Sequence, residues 1–152
     1  MKVLIDANIL LRVAQPAIAS HATSLAALTQ LANADFDLCL VPQSIYEYWV
    51  VATRPVTVNG LGLTIPVVDQ QIQDLLSRLT LLRDERGIFA HWYELVVRNA
   101  VHGKLAHDTR MVAAMQRHGL TNLLTFSKPD FSRFVGIQVL TPDDVLSGQM
   151  PT

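Results

Sequence analysis

The sequence is poor in cysteine, in charged residues and in long apolar runs. Its single cysteine, Cys39, excludes a disulfide framework and any multi-cysteine zinc site. No apolar run approaches the ~18 residues that a membrane span needs. Asp6 interrupts the apolar N-terminal segment that a signal peptide requires. We therefore expect a cytoplasmic protein that stays reduced and has no membrane segment.

The chain has 152 residues, of which 50% are hydrophobic and 16% are charged. This composition excludes an intrinsically disordered segment, because the chain has enough apolar surface to build a core. The length suits one domain rather than two. We predict a domain over residues 1–147, followed by a short C-terminal tail at 148–152.

The charge is nearly balanced overall, at −1, but it is unevenly distributed. Residues 98–133 carry six basic and only two acidic side chains. Such a segment can bind a polyanion, and it can equally form a solvated helix face. Charge alone leaves both interpretations open.

Strands and helices alternate along the chain. Short apolar runs without polar alternation predict strands at 2–5, 36–41, 79–82, 123–126 and 137–140. Helical periodicity predicts helices at 17–32, 44–53, 88–99 and 108–118, another beginning at 69, and a final turn capped by Thr141 and Pro142. Residues 55–66 hold two prolines and two glycines and are predicted to be a mobile loop.

This alternation predicts an α/β fold. Strands that are apolar on both faces belong to a parallel sheet covered by helices on both sides, which is a three-layer α/β/α arrangement with four to five strands. Ligands of such sheets bind beyond the carboxyl ends of the strands. The polar residues that follow the strands are therefore the candidates for a functional site.

Three acids stand near predicted helix starts. Asp6 directly follows the first strand, where an aspartate often only caps the next helix. Glu47 lies three residues after Ser44, which is the spacing of a capping box. Asp108 begins a predicted helix, where the helix dipole favours an acid. Each acid by itself has an ordinary structural explanation.

The three acids together indicate more than capping. Parallel strands place them at one edge of the sheet, where unpartnered carboxylates repel one another. A hard divalent cation resolves this conflict, and oxygen ligands with few histidines favour Mg²⁺ or Mn²⁺ over zinc. Such a centre suits phosphodiester hydrolysis by a metal-activated water.

Four segments carry a resemblance to a known family. Residues 1–10 (MKVLIDANIL), 42–48 (PQSIYEY), 103–115 (GKLAHDTRMVAAM) and 125–131 (TFSKPDF) occur in the order of the four motifs of PIN-domain ribonucleases. The chain is most similar to the VapC toxins of prokaryotic toxin–antitoxin pairs. The resemblance covers nearly the whole chain, which makes it more specific than any single motif.

The resemblance implies a Mg²⁺-dependent endoribonuclease in which Asp6, Glu47 and Asp108 are the catalytic, metal-binding residues. Asn8, Thr125 and Ser127 would support them. The resemblance further implies a homodimer that is inhibited by a small antitoxin. For the RNA backbone, the candidate phosphate-binding residues are Arg98, Lys104, Arg110 and Arg117.

The fourth motif departs from the family pattern. Many members carry an acid or asparagine two residues after the threonine, where this chain has Ser127. A hydroxyl there can bond a metal-bound water but adds no charge, so one Mg²⁺ should bind readily and a second poorly. Asp130 either partly compensates or is structural.

Two rival functions remain open. A phosphatase of the haloacid dehalogenase type also places an aspartate after its first strand, but it needs a second aspartate two residues later, where this chain has Asn8. A non-catalytic PIN domain that binds RNA or protein is favoured by the missing fourth acid. Metal-dependent cleavage of RNA separates the enzyme from the binding module.

Overall fold

The computed structural model describes all residues from Met1 to Thr152 and contains five strands and eight α-helices. The strands are β1 (Lys2–Ile5), β2 (Asp37–Leu40), β3 (Thr80–Leu81), β4 (Asn122–Leu124) and β5 (Gln138–Leu140). The helices are α1 (Ala7–Val13), α2 (Ala19–Asn33), α3 (Pro42–Thr53), α4 (Ile65–Arg78), α5 (Gly87–Arg98), α6 (Leu105–His118), α7 (Lys128–Phe131) and α8 (Pro142–Leu146).

The strands form one parallel sheet in the order β3-β2-β1-β4-β5. The predicted parallel sheet of four to five strands is confirmed with five. The chain winds outward from β1 in one direction through β2 and β3, then crosses to β4 and β5 on its other side. The carboxyl ends of β1 and β4 therefore flank the topological switch point, where a crevice opens.

The sheet is covered on both faces, which confirms the predicted three layers. Leu4 faces a core built with α5 and α6, whereas its neighbours Val3 and Ile5 face a second core built with α1 to α4 and α8. Successive strand side chains point to opposite faces, so one apolar strand contributes to both cores. This double burial holds the carboxyl ends of the strands in place.

The predicted start of α3 is wrong, and so is the capping box. The helix begins at Pro42 with Val41 as its N-cap, two residues before Ser44. Proline is favoured at the first helical position because its φ angle is already helical and its missing N–H is not needed there. The Ser44 hydroxyl donates instead to the Ile5 carbonyl at 3.2 Å, which joins α3 to β1.

Other boundaries also move. Helix α4 begins at Ile65 rather than at Asp69, and a 3₁₀ turn at Val56–Val58 occupies part of the predicted loop 55–66. Helix α6 begins at Leu105, which leaves Asp108 in its first turn. The sequence assigned no bounds to α1 and α7. The cap of α8 is confirmed, with a reciprocal capping box between Thr141 and Asp144.

The C-terminal tail packs against the domain. Asn122 Nδ2 donates to the Thr152 carbonyl at 3.4 Å, and Gln138 Nε2 donates to the Met150 carbonyl at 3.2 Å. Pro151 is buried. Residues 148–152 thus lie against the last two strands. None of the helices has the length and apolar character needed to cross a membrane.

Candidate active site

The three predicted acids share one cleft. Asp6 directly follows β1, Glu47 lies in α3 and Asp108 lies in α6. The three acids line a cavity of about 210 Å³ at the carboxyl edge of the sheet. The convergence follows from topology, because β1 ends at this edge while α3 and α6 both have their first turns there. The other polar side chains that line the cleft are Asn8, Ser127 and Asp130.

Asp6 is the most buried of these acids, with 6% of its surface exposed. It is the N-cap of α1, but its carboxylate makes no capping hydrogen bond. Asp6 Oδ2 instead accepts a hydrogen bond of 2.6 Å from Thr125 Oγ1. Burial raises the pKa of Asp6 to about 6, and the charges of Glu47 and Asp108 add to the effect, although the Thr125 hydrogen bond opposes it.

Asn8 connects α1 to the segment that follows β4. Its Nδ2 donates to Thr125 Oγ1 at 3.1 Å and to Ser127 Oγ at 3.2 Å, and its Oδ1 accepts from the Phe126 amide at 3.2 Å. All three predicted supporting residues, Asn8, Thr125 and Ser127, therefore belong to one hydrogen-bonded network. The network ends on Asp6, whose orientation it fixes through Thr125.

Glu47 projects from the second turn of α3. Its Oε1 accepts a hydrogen bond of 2.8 Å from Gln43 Nε2, one turn earlier on the same helix. Because Ser44 bonds to Ile5 rather than capping the helix, the capping role proposed for Glu47 is excluded. A half-buried carboxylate that does not cap its own helix is free to face the cleft.

Asp108 lies half-buried in the first turn of α6. Burial raises its pKa, and the charges of Glu47 and Asp130 raise it further, while His107 and Lys104 oppose the shift. Asp130, in α7, is thus a fourth acid whose charge reaches this site. The sequence had left its role undecided.

The carboxylates line the same cleft, but they do not converge on one metal-binding position. No three acidic, histidine or cysteine side chains are close enough to chelate one ion as they stand. The donor set consists of carboxylate oxygens supported by a hydroxyl and an amide, which fits Mg²⁺ or Mn²⁺ rather than a softer metal.

The predicted phosphate-binding cations are mostly paired with acids. Arg110 bonds Asp84 at 2.9 Å, and Arg117 bonds Glu85 at 2.6 Å. Arg98 lies 3.8 Å from Glu94 on the exposed face of α5. Lys104 has no carboxylate partner and lies near Asp108. Of the four candidates, Lys104 is the one that the structure places beside the acidic cleft.

Two polar residues near the site, Gln43 and Arg12, received no role from the sequence, although Gln43 follows the second predicted strand. Gln43 is buried and precedes Glu47 by one helical turn. Arg12 follows Asn8 by one turn of α1, and its guanidinium lies over the Phe126 ring at 5.8 Å from the centroid, without an ion pair. A four-residue spacing from a candidate residue on the same helix was the available signal for both.

Comparison with known structures gives chains of the same fold. A VapBC2 structure from Rickettsia felis, bound to a DNA fragment from its promoter, matches with a TM-score of 0.70 and 15% identity, over 93% of this chain and 98% of that one. A toxin–antitoxin complex from Klebsiella pneumoniae matches at 0.62 and 20%, over 92% and 97%. The VapC20 toxin of Mycobacterium tuberculosis, which cleaves the sarcin–ricin loop, matches at 0.64 and 14%, over 90% and 98%.

No protein-family model matches the sequence, and no curated protein matches it either. At identities of 20% or less, the structural likeness establishes the fold. The chain therefore has the PIN-like fold of these toxins, which confirms the fold class expected from the four motifs.

Proposed function

We propose that this protein is a Mg²⁺-dependent endoribonuclease of the VapC toxin type. One observation carries the proposal: Asp6, Glu47 and Asp108 line the same cleft at the carboxyl edge of the sheet. The PIN-like fold supports it, since a toxin that cleaves the sarcin–ricin loop has the same fold. The substrate class, the metal and the reaction are inferences from this cleft.

Asp6, Glu47 and Asp108 would hold the cation, and Asp130 would add a fourth negative charge. When bound, a divalent cation supplies an activated water and offsets the charge that develops on the phosphate. Thr125 orients Asp6 through the 2.6 Å hydrogen bond, and Asn8 holds Thr125 in place. Mn²⁺ is an alternative to Mg²⁺, because both favour oxygen ligands.

The proposed substrate, RNA, is a polyanion and has to bind next to this acidic cleft. An acidic cleft repels phosphate, so cations beside it must offset that repulsion. Lys104 and Arg12 suit this role, since neither is paired with a carboxylate. Arg98, Arg110 and Arg117 remain predicted contacts for more distant phosphates, and each must give up or share its acidic partner.

A small antitoxin is the proposed protein partner, and a homodimer is the proposed assembly. The antitoxin is supported by structures of the same fold that were determined as toxin–antitoxin complexes. The homodimer follows from the family resemblance. A cytoplasmic location completes the proposal, because cellular RNA and the antitoxin are found there.

The test is cleavage of RNA by the purified protein. Cleavage should stop in excess chelator and return with Mg²⁺ or Mn²⁺, but poorly with Ca²⁺, which accepts longer and looser coordination. Asp6→Asn should abolish cleavage, whereas Asp69→Asn, at an exposed acid on α4, should leave it intact. RNA binding without cleavage would instead support the non-catalytic alternative, and full activity in chelator would overturn the metal mechanism.

A further inference from the structure

Gln43 joins the two helices that carry Glu47 and Asp108. Its Nε2 donates one hydrogen bond to Glu47 Oε1 at 2.8 Å and another to the carbonyl of His107, also at 2.8 Å. His107 immediately precedes Asp108 in the first turn of α6. One side-chain amide therefore contacts one acid directly and the backbone next to the other.

The two acceptors determine how this amide is oriented. A carboxylate and a carbonyl can each accept but not donate, so the NH₂ group of Gln43 must face them both. The opposite orientation would place Gln43 Oε1 against two acceptors. Both donor hydrogens are used, and the bridge between α3 and α6 has one stable arrangement.

In this orientation the other end of the amide, Gln43 Oε1, is left without a hydrogen-bond donor. Gln43 is only 6% exposed, and its Oε1 is buried without any hydrogen-bond partner. A buried acceptor without a donor destabilises the folded state. An apolar side chain would avoid that cost, because the His107 carbonyl can still accept within its own helix and Glu47 still faces the cleft. The orphaned acceptor offsets much of what the two hydrogen bonds contribute, so the net effect of this glutamine on stability is small.

We infer that Gln43 is a positioning residue that sets the placement of Glu47 relative to Asp108 for cation binding. This inference rests on the proposed function, since it assumes that both acids hold the metal. The amide fixes the Glu47 carboxylate by a direct bond and ties the first turn of α6 to α3. Without it, two repelling carboxylates on separate helices have to be ordered when the cation binds. Metal affinity should fall accordingly.

The experiment measures Mg²⁺ and Mn²⁺ binding to purified protein by calorimetry, together with thermal melting in chelator. The variant is Gln43→Met, which keeps the length of the side chain and removes the amide. The matched control is Gln70→Met, because Gln70 Nε2 also bonds an acid one turn away, Asp74 Oδ1 at 3.1 Å, but on the exposed surface of α4. Gln43→Asn, which shortens the side chain so that the amide cannot span both acceptors, is a second variant in case the first does not fold.

The expected result is a metal affinity at least about tenfold weaker in Gln43→Met and Gln43→Asn, the size of effect typical when a group that orients a metal ligand is lost. The melting temperature of Gln43→Met in chelator should not fall, and Gln70→Met should behave as the wild type. Unchanged metal affinity overturns the inference and leaves the proposed function standing. A weaker metal affinity that is fully explained by a lower melting temperature of the variant also overturns the inference and leaves the proposed function standing. A wild-type protein that binds neither metal overturns both.

Discussion

Thr125 directly follows β4 and Asp6 directly follows β1. Thr125 Oγ1 donates a hydrogen bond of 2.6 Å to Asp6 Oδ2. These residues are 119 positions apart in the chain and meet because the two strands are neighbours in the parallel sheet. The hydrogen bond favours the ionised form of Asp6, but burial outweighs it and raises the pKa from 3.8 to about 6. The cleft is therefore lined by an acid, Asp6, whose ionised form is disfavoured by burial.

The first prediction is a dependence of stability on pH in metal-free buffer. With its pKa raised in the folded state, Asp6 contributes stability that is fully present below about pH 3.8 and is lost as the pH rises through about 6. At ~1.4 kcal/mol per pKa unit, the loss is about 3 kcal/mol. Urea unfolding in chelator between pH 4 and 8 measures it.

Asp6→Asn is the control for this prediction. An amide at position 6 can still accept the Thr125 hydrogen bond but cannot ionise, so the variant should lose most of the pH dependence in this range. Saturating Mg²⁺ should also flatten the dependence in the wild type, because a bound cation favours the carboxylate. An equal slope in the wild type and the variant would show that other groups cause it.

The fold was predictable because its signals are local. The apolar runs that form β1 and β4 and the periodicity of α6 depend on neighbouring residues, and parallel topology then brings Asp6 and Asp108 together. The function of Ser44 was not predictable in this way. The spacing of a capping box is also local, but Pro42 moves the start of the helix, and the Ile5 carbonyl bonds the hydroxyl.

Gln43 shows the same limit for the site. One of the two hydrogen bonds of its side chain goes to the carbonyl of His107, which is 64 residues away in the chain. The four predicted cations were likewise chosen from their density along the chain, and three of them turned out to lie beside acids such as Glu85. Charge density along a sequence does not show which charges are already neutralised by a partner in space.

The second prediction concerns Glu47. Glu47→Gln should lower cleavage by orders of magnitude, because a neutral amide is a poor ligand for a hard cation. The free energy of unfolding should change by less than about 1 kcal/mol, since the amide oxygen can still accept from Gln43. Single-turnover cleavage and urea unfolding test the two effects separately. Asp69→Asn, at an exposed acid of α4, is the control, and intact cleavage by Glu47→Gln would remove Glu47 from the mechanism.

The third prediction concerns Arg12. If its guanidinium contacts an RNA phosphate, Arg12→Ala should raise KM with little change in kcat. It should also reduce the slope of log affinity against log salt by about 0.7, the value for one phosphate on a single strand. Arg117→Ala should have the smaller effect, since Arg117 is paired with Glu85 and lies about 14 Å along the α6 axis from Asp108. Equal effects of the two substitutions would indicate a diffuse electrostatic contribution.

The last prediction distinguishes Ser127 from Asp130 as the source of a fourth ligand. Both line the cleft, but Ser127 is neutral and accepts a hydrogen bond from Asn8, whereas the charge of Asp130 already raises the pKa of Asp108. Asp130→Asn should therefore weaken Mg²⁺ binding. Ser127→Asp should strengthen it, because a charge added beside a divalent ion is a large effect even at an effective dielectric constant of ~20.

Combining the substitutions completes this test. Ser127→Asp together with Asp130→Asn keeps the number of carboxylates constant, so the Mg²⁺ affinity should return towards the wild-type value. The gain from Ser127→Asp should disappear in an Asp108→Asn background, where a required ligand is already missing. Titration of Mg²⁺ against cleavage and against the melting temperature measures each affinity. If Asp130→Asn binds Mg²⁺ as the wild type does, the acid of α7 contributes only to the surface charge, and the site has three carboxylates.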